Sequence, residues 1–287
     1  MMQVSRTLIT VLRRLMDGES VAASSLRKDI AKAMLEEGLL TVQTYGSRRA
    51  YRAINTAALK SFLESHFEEL HNIETLEVLI DKNNLTRSEQ ATNTGNSKLV
   101  KVRSCPGFPV NTYEPIVCCL NGNEFWVNPS EGSFIFVTDW RTFIIPEDVI
   151  VVGVENMENF RMIRKQRVFF ESEIGHHRFL FVSRYPQSTD LCSWLQSISN
   201  RYVHFGDFDL AGIHIFLTEF HKYLGERSSF LIPSDIEQRL DHGSTIRYNT
   251  QYSKYRTLKC DVQKLQFLID LINKYHRCYD QEGYINK

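Results

Sequence analysis

The chain has 287 residues, 43% hydrophobic and 24% charged, and its 34 basic side chains balance 34 acidic ones. Such a composition belongs to one large or two smaller globular domains and excludes a disordered tail, a collagen or a coiled coil. The charge is unevenly spread: residues 1–60 hold ten Lys and Arg against five Asp and Glu, a basic lobe hidden by the average. No apolar stretch nears the roughly 18–20 residues that a bilayer span needs. The first sixteen residues, with Arg6, Arg13 and Arg14 at helical spacing, lack the layout of a signal peptide. The six cysteines form no C-x-x-C pair. Neither a zinc ribbon nor a disulfide framework is expected, and the sequence reads as a reducing, cytoplasmic protein.

Residues 1–72 read as a first domain. Leu8, Val11, Leu12 and Leu15 recur at three- and four-residue steps, as one buried helix face requires, and Gly18 ends that helix. Ser24 or Ser25 can cap a short second segment, while Ile30, Ala33 and Met34 mark another that stops at Gly38. Residues 39–45 form a strand-like run, Gly46-Ser47-Arg48-Arg49 can turn it, and residues 50–54 return it; a further helix covers about Thr56–Leu70. Helices followed by a two-stranded wing with arginines at its tip make the winged-helix pattern, in which a helix enters the major groove while the wing holds phosphate. Arg48, Arg49 and Arg52, with Lys28 and Lys32 nearby, are the expected contacts to double-stranded DNA. The plainer alternative is a helical cap whose basic hairpin touches only protein.

Residues 73–146 read as a connecting β element. Asp81–Lys98 is a polar loop rich in Asn, Ser, Thr and Gly. Short strands follow over Pro115–Leu120, Glu124–Asn128 and Ser133–Thr138. Residues 147–287 then alternate strand and helix: strands over Val149–Glu155, Phe179–Ser183 and Tyr202–Phe205, helices over Phe160–Phe170, Asp190–Ile198 and Ala211–Leu224. Short apolar strands separated by helices predict a parallel sheet whose functional groups gather at the carboxyl ends of its strands.

Acidic residues stand at those ends. The Val149–Val154 run closes on Glu155-Asn156, and Tyr202–Gly206 closes on Asp207-Phe208-Asp209. Asp207 and Asp209, two residues apart, point the same way in extended backbone. Carboxylates crowded together are unfavourable unless a cation sits among them, and an all-oxygen set suits Mg²⁺ or Mn²⁺ better than zinc. Such an ion polarises a phosphodiester and activates water. Glu155, Asp207 and Asp209 are therefore the expected metal ligands, with Glu155 also catalytic. The plainer alternative has the aspartates capping the next helix and Glu155 in a salt bridge.

Two stretches, Val154-Glu155-Asn156-Met157-Glu158-Asn159-Phe160 and Phe205-Gly206-Asp207-Phe208-Asp209-Leu210-Ala211-Gly212-Ile213, resemble the Toprim domain. They are most similar to the branch holding the type IIB topoisomerase A subunit and the nuclease subunit of Wadjet plasmid-defence systems. The resemblance implies an α/β Toprim fold, a Rossmann-like parallel sheet with flanking helices, preceded by a winged helix. It also implies magnesium on Glu155, Asp207 and Asp209, close approach at Gly206 and Gly212, a homodimer, a separate ATPase partner and a role in DNA defence. The Arg-Asp-x-Tyr-Tyr-like context of the topoisomerase nucleophile does not occur here. Water is then the expected attacker, and the chain is expected to be a metal-dependent DNA endonuclease. The alternatives are a transesterase using Tyr45 or Tyr51, and a non-catalytic DNA-binding regulator.

Other candidates are weaker. Glu158 reads as a solvated helix residue, His176-His177 as loop histidines and His204 as a satisfied core histidine. Arg161, Arg164, Lys165 and Arg167 form either a solvated face or a phosphate track. The basic and aromatic residues of Arg247–Arg256 suit a nucleic-acid edge or a packed aromatic cluster. No P-loop or dinucleotide glycine pattern is present.

Overall fold

The computed structural model describes residues 5–67 and 105–285, together with positions 70, 73, 74, 78, 88, 89 and 92. Most of the polar stretch Asp81–Lys98 lies outside the described residues. The protein is mixed α/β and divides into two compact units, Met1–Ser104 and Cys105–Lys287. The division falls at 104/105, where the sequence reading places boundaries at 72 and 146.

The first unit runs α1 (Arg6–Met16), β1 (Val21–Ala22), α2 (Lys28–Glu36), β2 (Leu40–Tyr45), β3 (Arg48–Ala53) and α3 (Thr56–His66). Ser5 starts α1 by accepting the Leu8 N–H at 3.1 Å. Asn55 caps α3 through the N–H groups of Ala57 and Ala58. Leu8, Leu12, Leu15, Ile30, Met34, Leu59 and Leu63 close the core between the three helices. The hairpin pairs Leu40 with Ala53 and Tyr45 with Arg48, and β1 adds against β3 to give the order β1-β3-β2. Two residues are too short a strand for periodicity to reveal.

The second unit holds β4 (Phe108–Thr112), β5 (Ile116–Leu120), β6 (Asn123–Val127), β7 (Ile135–Val137), β8 (Ile150–Val154), α4 (Met157–Arg161), α5 (Arg167–Ile174), β9 (Phe179–Ser183) and α6 (Thr189–Ser197). It continues through β10 (Tyr202–Phe205), α7 (Leu210–Ile215), β11 (Ser228–Phe230), α8 (Ile236–Asp241), α9 (Thr245–Tyr255) and α10 (Gln263–Tyr275). The main sheet has the order β11-β10-β8-β9-β4-β7. Strands β8 to β11 are mutually parallel, but β4 runs antiparallel to β9, and β7 antiparallel to β4. The sheet is thus mixed rather than purely parallel, and part of the expected connecting element is its edge. Only β5 and β6 stand apart as a hairpin. The proline and asparagine in Phe108-Pro109-Val110-Asn111-Thr112 hide β4 from a hydrophobic reading, although all five residues are buried.

Alternation along β10 seats helices on both faces. Tyr202 and His204 meet the rings of Phe220 and Phe216 on the helical stretch after α7. Phe205, on the other face, meets Phe169 and Phe170 of α5 and Tyr284 near the C-terminus. The expected single helix over Phe160–Phe170 is instead broken into α4, a 3₁₀ turn (Ile163–Gln166) and α5. The fully buried Gln166 amide accounts for the break: its Nε2 donates to the carbonyls of Asn159 and Met162, and its Oε1 accepts from Asn159 Nδ2.

Candidate active site

The parallel strands deliver three acidic side chains to one edge. β8 lies between β10 and β9, and its ladder continues one step further as the Glu155 N–H donates to the Phe205 carbonyl at 3.0 Å. Asn156 then caps α4 through the N–H groups of Glu158 and Asn159. Gly206 follows β10 at a point of close approach: a Cβ there would lie 2.9 Å from Glu155 Oε2 and 2.8 Å from His204 Nε2. Gly212 is equally confined, since a Cβ would fall 2.5 Å from the Asp207 carbonyl oxygen. The sequence stretches singled out at both strand ends therefore do converge.

What compensates their charge is arginine. Arg184, just past β9, donates from Nη1 to Glu155 Oε1 at 3.3 Å and from Nη2 to Glu219 Oε1 at 3.0 Å. Arg247 on α9 donates from Nη2 to Asp207 Oδ2 at 2.9 Å, brings Nε to 3.1 Å from Asp209 Oδ2, and pairs through Nη1 with Asp280. Gln251, one turn later, donates to Asp209 Oδ2 at 2.7 Å and accepts the Ala211 N–H. Asp209 Oδ1 accepts the Gly212 N–H at 2.6 Å and so caps α7, while Asp207 Oδ1 accepts the Gln281 N–H at 3.1 Å. The 278–281 segment straps this loop down, with Phe208 and Tyr279 exchanging backbone hydrogen bonds.

The two flanking carboxyls are driven apart in acidity. Burial pushes Glu155 up, but the His204 ring and the Arg184 guanidinium outweigh it and hold the carboxyl below its ordinary value. Burial also pushes Asp207 up; the Gln281 N–H and Arg247 oppose this, the charges of Asp209 and Glu155 add to it, and the net shift is upward. Glu155 Oε2 itself is buried without a hydrogen-bond partner, as is His204 Nε2, 3.7 Å away. The other His204 nitrogen meets the Tyr202 hydroxyl at 2.9 Å.

As placed, these residues do not fit a magnesium or manganese ion. The guanidinium of Arg247 spans Asp207 and Asp209 where a shared cation would sit, and Arg184 pairs with Glu155 Oε1. Among the described residues, no group of three His, Cys, Asp or Glu side chains is arranged to hold a metal.

Of the expected DNA contacts, Lys28, Lys32, Arg48, Arg49 and Arg52 are all exposed. The turn is Gly46-Ser47 alone, so Arg48 and Arg49 open β3 rather than sit in the turn; they make no side-chain pair among the described residues, whereas Lys32 faces Glu36 at 3.6 Å and Arg52 Nε donates to the Gly18 carbonyl at 3.0 Å. Tyr45 is 66% exposed; Tyr51 packs on the first core. Glu158 is exposed, and His176 lies 3.4 Å from Glu171. In the 161–167 track, Arg167 is spent on Glu114 and Glu171, and Arg164 on the carbonyls of Tyr113 and Pro129. Arg184 and Asp280 are the site residues that sequence reasoning missed, while Arg247 and Gln251 were expected on a nucleic-acid edge or in an aromatic cluster and instead meet the acidic trio. Arg247 and Gln251 did carry a signal, an i, i+4 pair on one helix face behind the Ser244 cap.

A family profile, Domain of unknown function (DUF7281), matches residues 129–287, more than half of the chain and all of the candidate site. The chain belongs to the DUF7281 family. This corrects the Toprim resemblance: the matching profile over the acidic stretches is that of DUF7281, and no Toprim profile matches. The two short words were too small a part of the chain to define a family. The homodimer, ATPase partner and defence role expected from that likeness lose their support with it. No curated protein matches the DUF7281 chain. No helix among its described residues is long and apolar enough to cross a membrane.

Proposed function

We propose that this protein cleaves phosphodiester bonds of duplex DNA at the carboxyl edge of its second unit. The observation that carries the reading is geometric: Glu155 and Asp207 stand at one sheet edge, each beside its own guanidinium. Glu155, held ionised, takes the proton of an attacking water, and the departing oxygen takes its proton from solvent. Arg184 and Arg247, paired with these carboxylates, hold them in place at the edge where the phosphate would lie. In this reading the first unit is a winged helix, and Arg48 and Arg49, at the start of β3 and without a side-chain pair among the described residues, hold backbone phosphate.

A second reading has one observation in its favour. Arg247 engages Asp207, Asp209 and Asp280 together, which is what a structural latch holding the C-terminal strap to the sheet edge would need. The protein would then be a non-catalytic DNA-binding regulator.

Supercoiled plasmid separates the two. Nicking is measured with Mg²⁺, with Mn²⁺ and with chelator for the wild type, Glu155→Gln and the pair Arg48→Gln/Arg49→Gln. Hydrolysis at this edge predicts nicking that falls by about 10²-fold or more in Glu155→Gln. The hairpin pair would weaken binding and reduce its salt dependence. Equal nicking by wild type and Glu155→Gln removes the assigned base. Absence of nicking by a folded, DNA-binding wild type in every condition favours the regulator.

A further inference from the structure

A cavity of about 290 Å³ opens where the β6–β7 loop faces the junction of α4 and α5. Its lining includes Arg161, Arg164 and Lys165 against a single acid, Glu131. Arg164 builds the wall: its Nη2 donates to the Pro129 carbonyl at 2.9 Å and its Nη1 to that of Tyr113, tying the loop to the sheet. The floor is buried Asn111, whose Nδ2 donates to the Ser133 and Phe160 carbonyls. Arg161 and Lys165 are different. Both are exposed, and among the described residues neither side chain makes an ion pair or hydrogen bond. Their neighbour Arg167, by contrast, is neutralised by two glutamates.

We infer that this cavity is a phosphate-binding site, with Arg161 and Lys165 as its free cations and Arg164 as the fixed one. Cations left unpaired around a concave space raise the local concentration of anions. The volume lies at the lower end for small-molecule sites, which suits a phosphate with its sugar. The phosphate belongs either to a DNA backbone or to a free nucleotide. A backbone source rests on the proposed DNA chemistry and fits the local geometry, because α4 carries the chain only about 8 Å from Asn156 to Arg161 at helical rise. A strand running from the cavity then passes the carboxyl edge of β8.

The test uses the full chain with Arg161→Gln/Lys165→Gln, and Arg167→Gln as the control for simple loss of positive charge; unchanged melting curves establish that each is folded. Anisotropy of a labelled duplex is followed from 50 to 200 mM salt, and adenosine monophosphate is titrated by calorimetry. If backbone phosphate occupies the cavity, the slope of log K against log salt becomes shallower by about 1.8 in the pair. Affinity then falls about twelvefold less over that salt range than in wild type, and Arg167→Gln stays near wild type. If the ligand is a free nucleotide, wild type binds the monophosphate, the pair does not, and the duplex slope is unchanged. A wild type that fails to bind duplex but binds monophosphate through this pair leaves the cavity standing and refutes the DNA reading. A slope and a monophosphate titration both indifferent to the pair overturn the inference.

Discussion

Replacing Arg247 by methionine removes a side chain that touches Asp207, Asp209 and Asp280 while keeping most of its apolar stem. The three contacts do not weigh equally. Asp280 is half exposed, so its pair is screened and worth about 0–1 kcal/mol. Asp209 is 2% exposed and keeps only the Gly212 N–H and Gln251 as partners once the guanidinium is gone. Stripping the counter-charge from a buried carboxylate costs about 3–5 kcal/mol; the two surviving hydrogen bonds place the expected loss near the lower end, about 3 kcal/mol at neutral pH. Urea denaturation followed by tryptophan fluorescence reads this locally, because Trp126, Trp140 and Trp194 are the chain's three tryptophans and all lie in the second unit. Arg247→Lys, a single point charge, falls between variant and wild type. A loss under about 1 kcal/mol refutes the account of Arg247 as the cation of this edge. So does Mn²⁺ binding by the wild type that Asp209→Asn abolishes. In Arg247→Met, with Asp207 and Asp209 facing each other uncovered, a Mn²⁺ heat absent from wild type is expected.

Asp207→Asn is expected to be more stable than wild type at pH 7. The folded-state carboxyl titrates above the ordinary 3.8, so the native state binds its proton more tightly than the unfolded chain and stability falls as pH rises through that window. Asparagine has no such term, its advantage vanishes below the ordinary aspartate value, and a less stable variant at pH 7 contradicts the assignment. Glu155 carries the opposite sign: its depressed carboxyl contributes stability above its ordinary 4.5 that is lost as pH falls through the folded value. Gly206→Ala places a methyl 2.9 Å from Glu155 Oε2 and 2.8 Å from His204 Nε2. It is expected to cost about 1–3 kcal/mol and to impair nicking; an alanine variant with wild-type melting and nicking shows that this approach carries no constraint.

Much of the framework was written in local pattern. The apolar runs of β8, β9 and β10, the 3.6-residue rhythm of α1 and the turn residues between β2 and β3 each act within a few neighbours, so their elements followed from the sequence by itself. So did the delivery of Glu155, Asp207 and Asp209 to one edge, because parallel strands share the direction in which they end. Tertiary structure alone decided the rest. β4 contains a proline and a buried asparagine, and only its partners on both sides make it a strand. The break at Met162 depends on Gln166 bonding back to Asn159, which no periodicity encodes. Most consequential is the cation among the carboxylates. Crowded negative charge predicts that a positive charge must sit there, but not which one. Arg247 lies 40 residues from Asp207, and long-range packing of α9 and the C-terminal strap against the sheet edge put its guanidinium in that place.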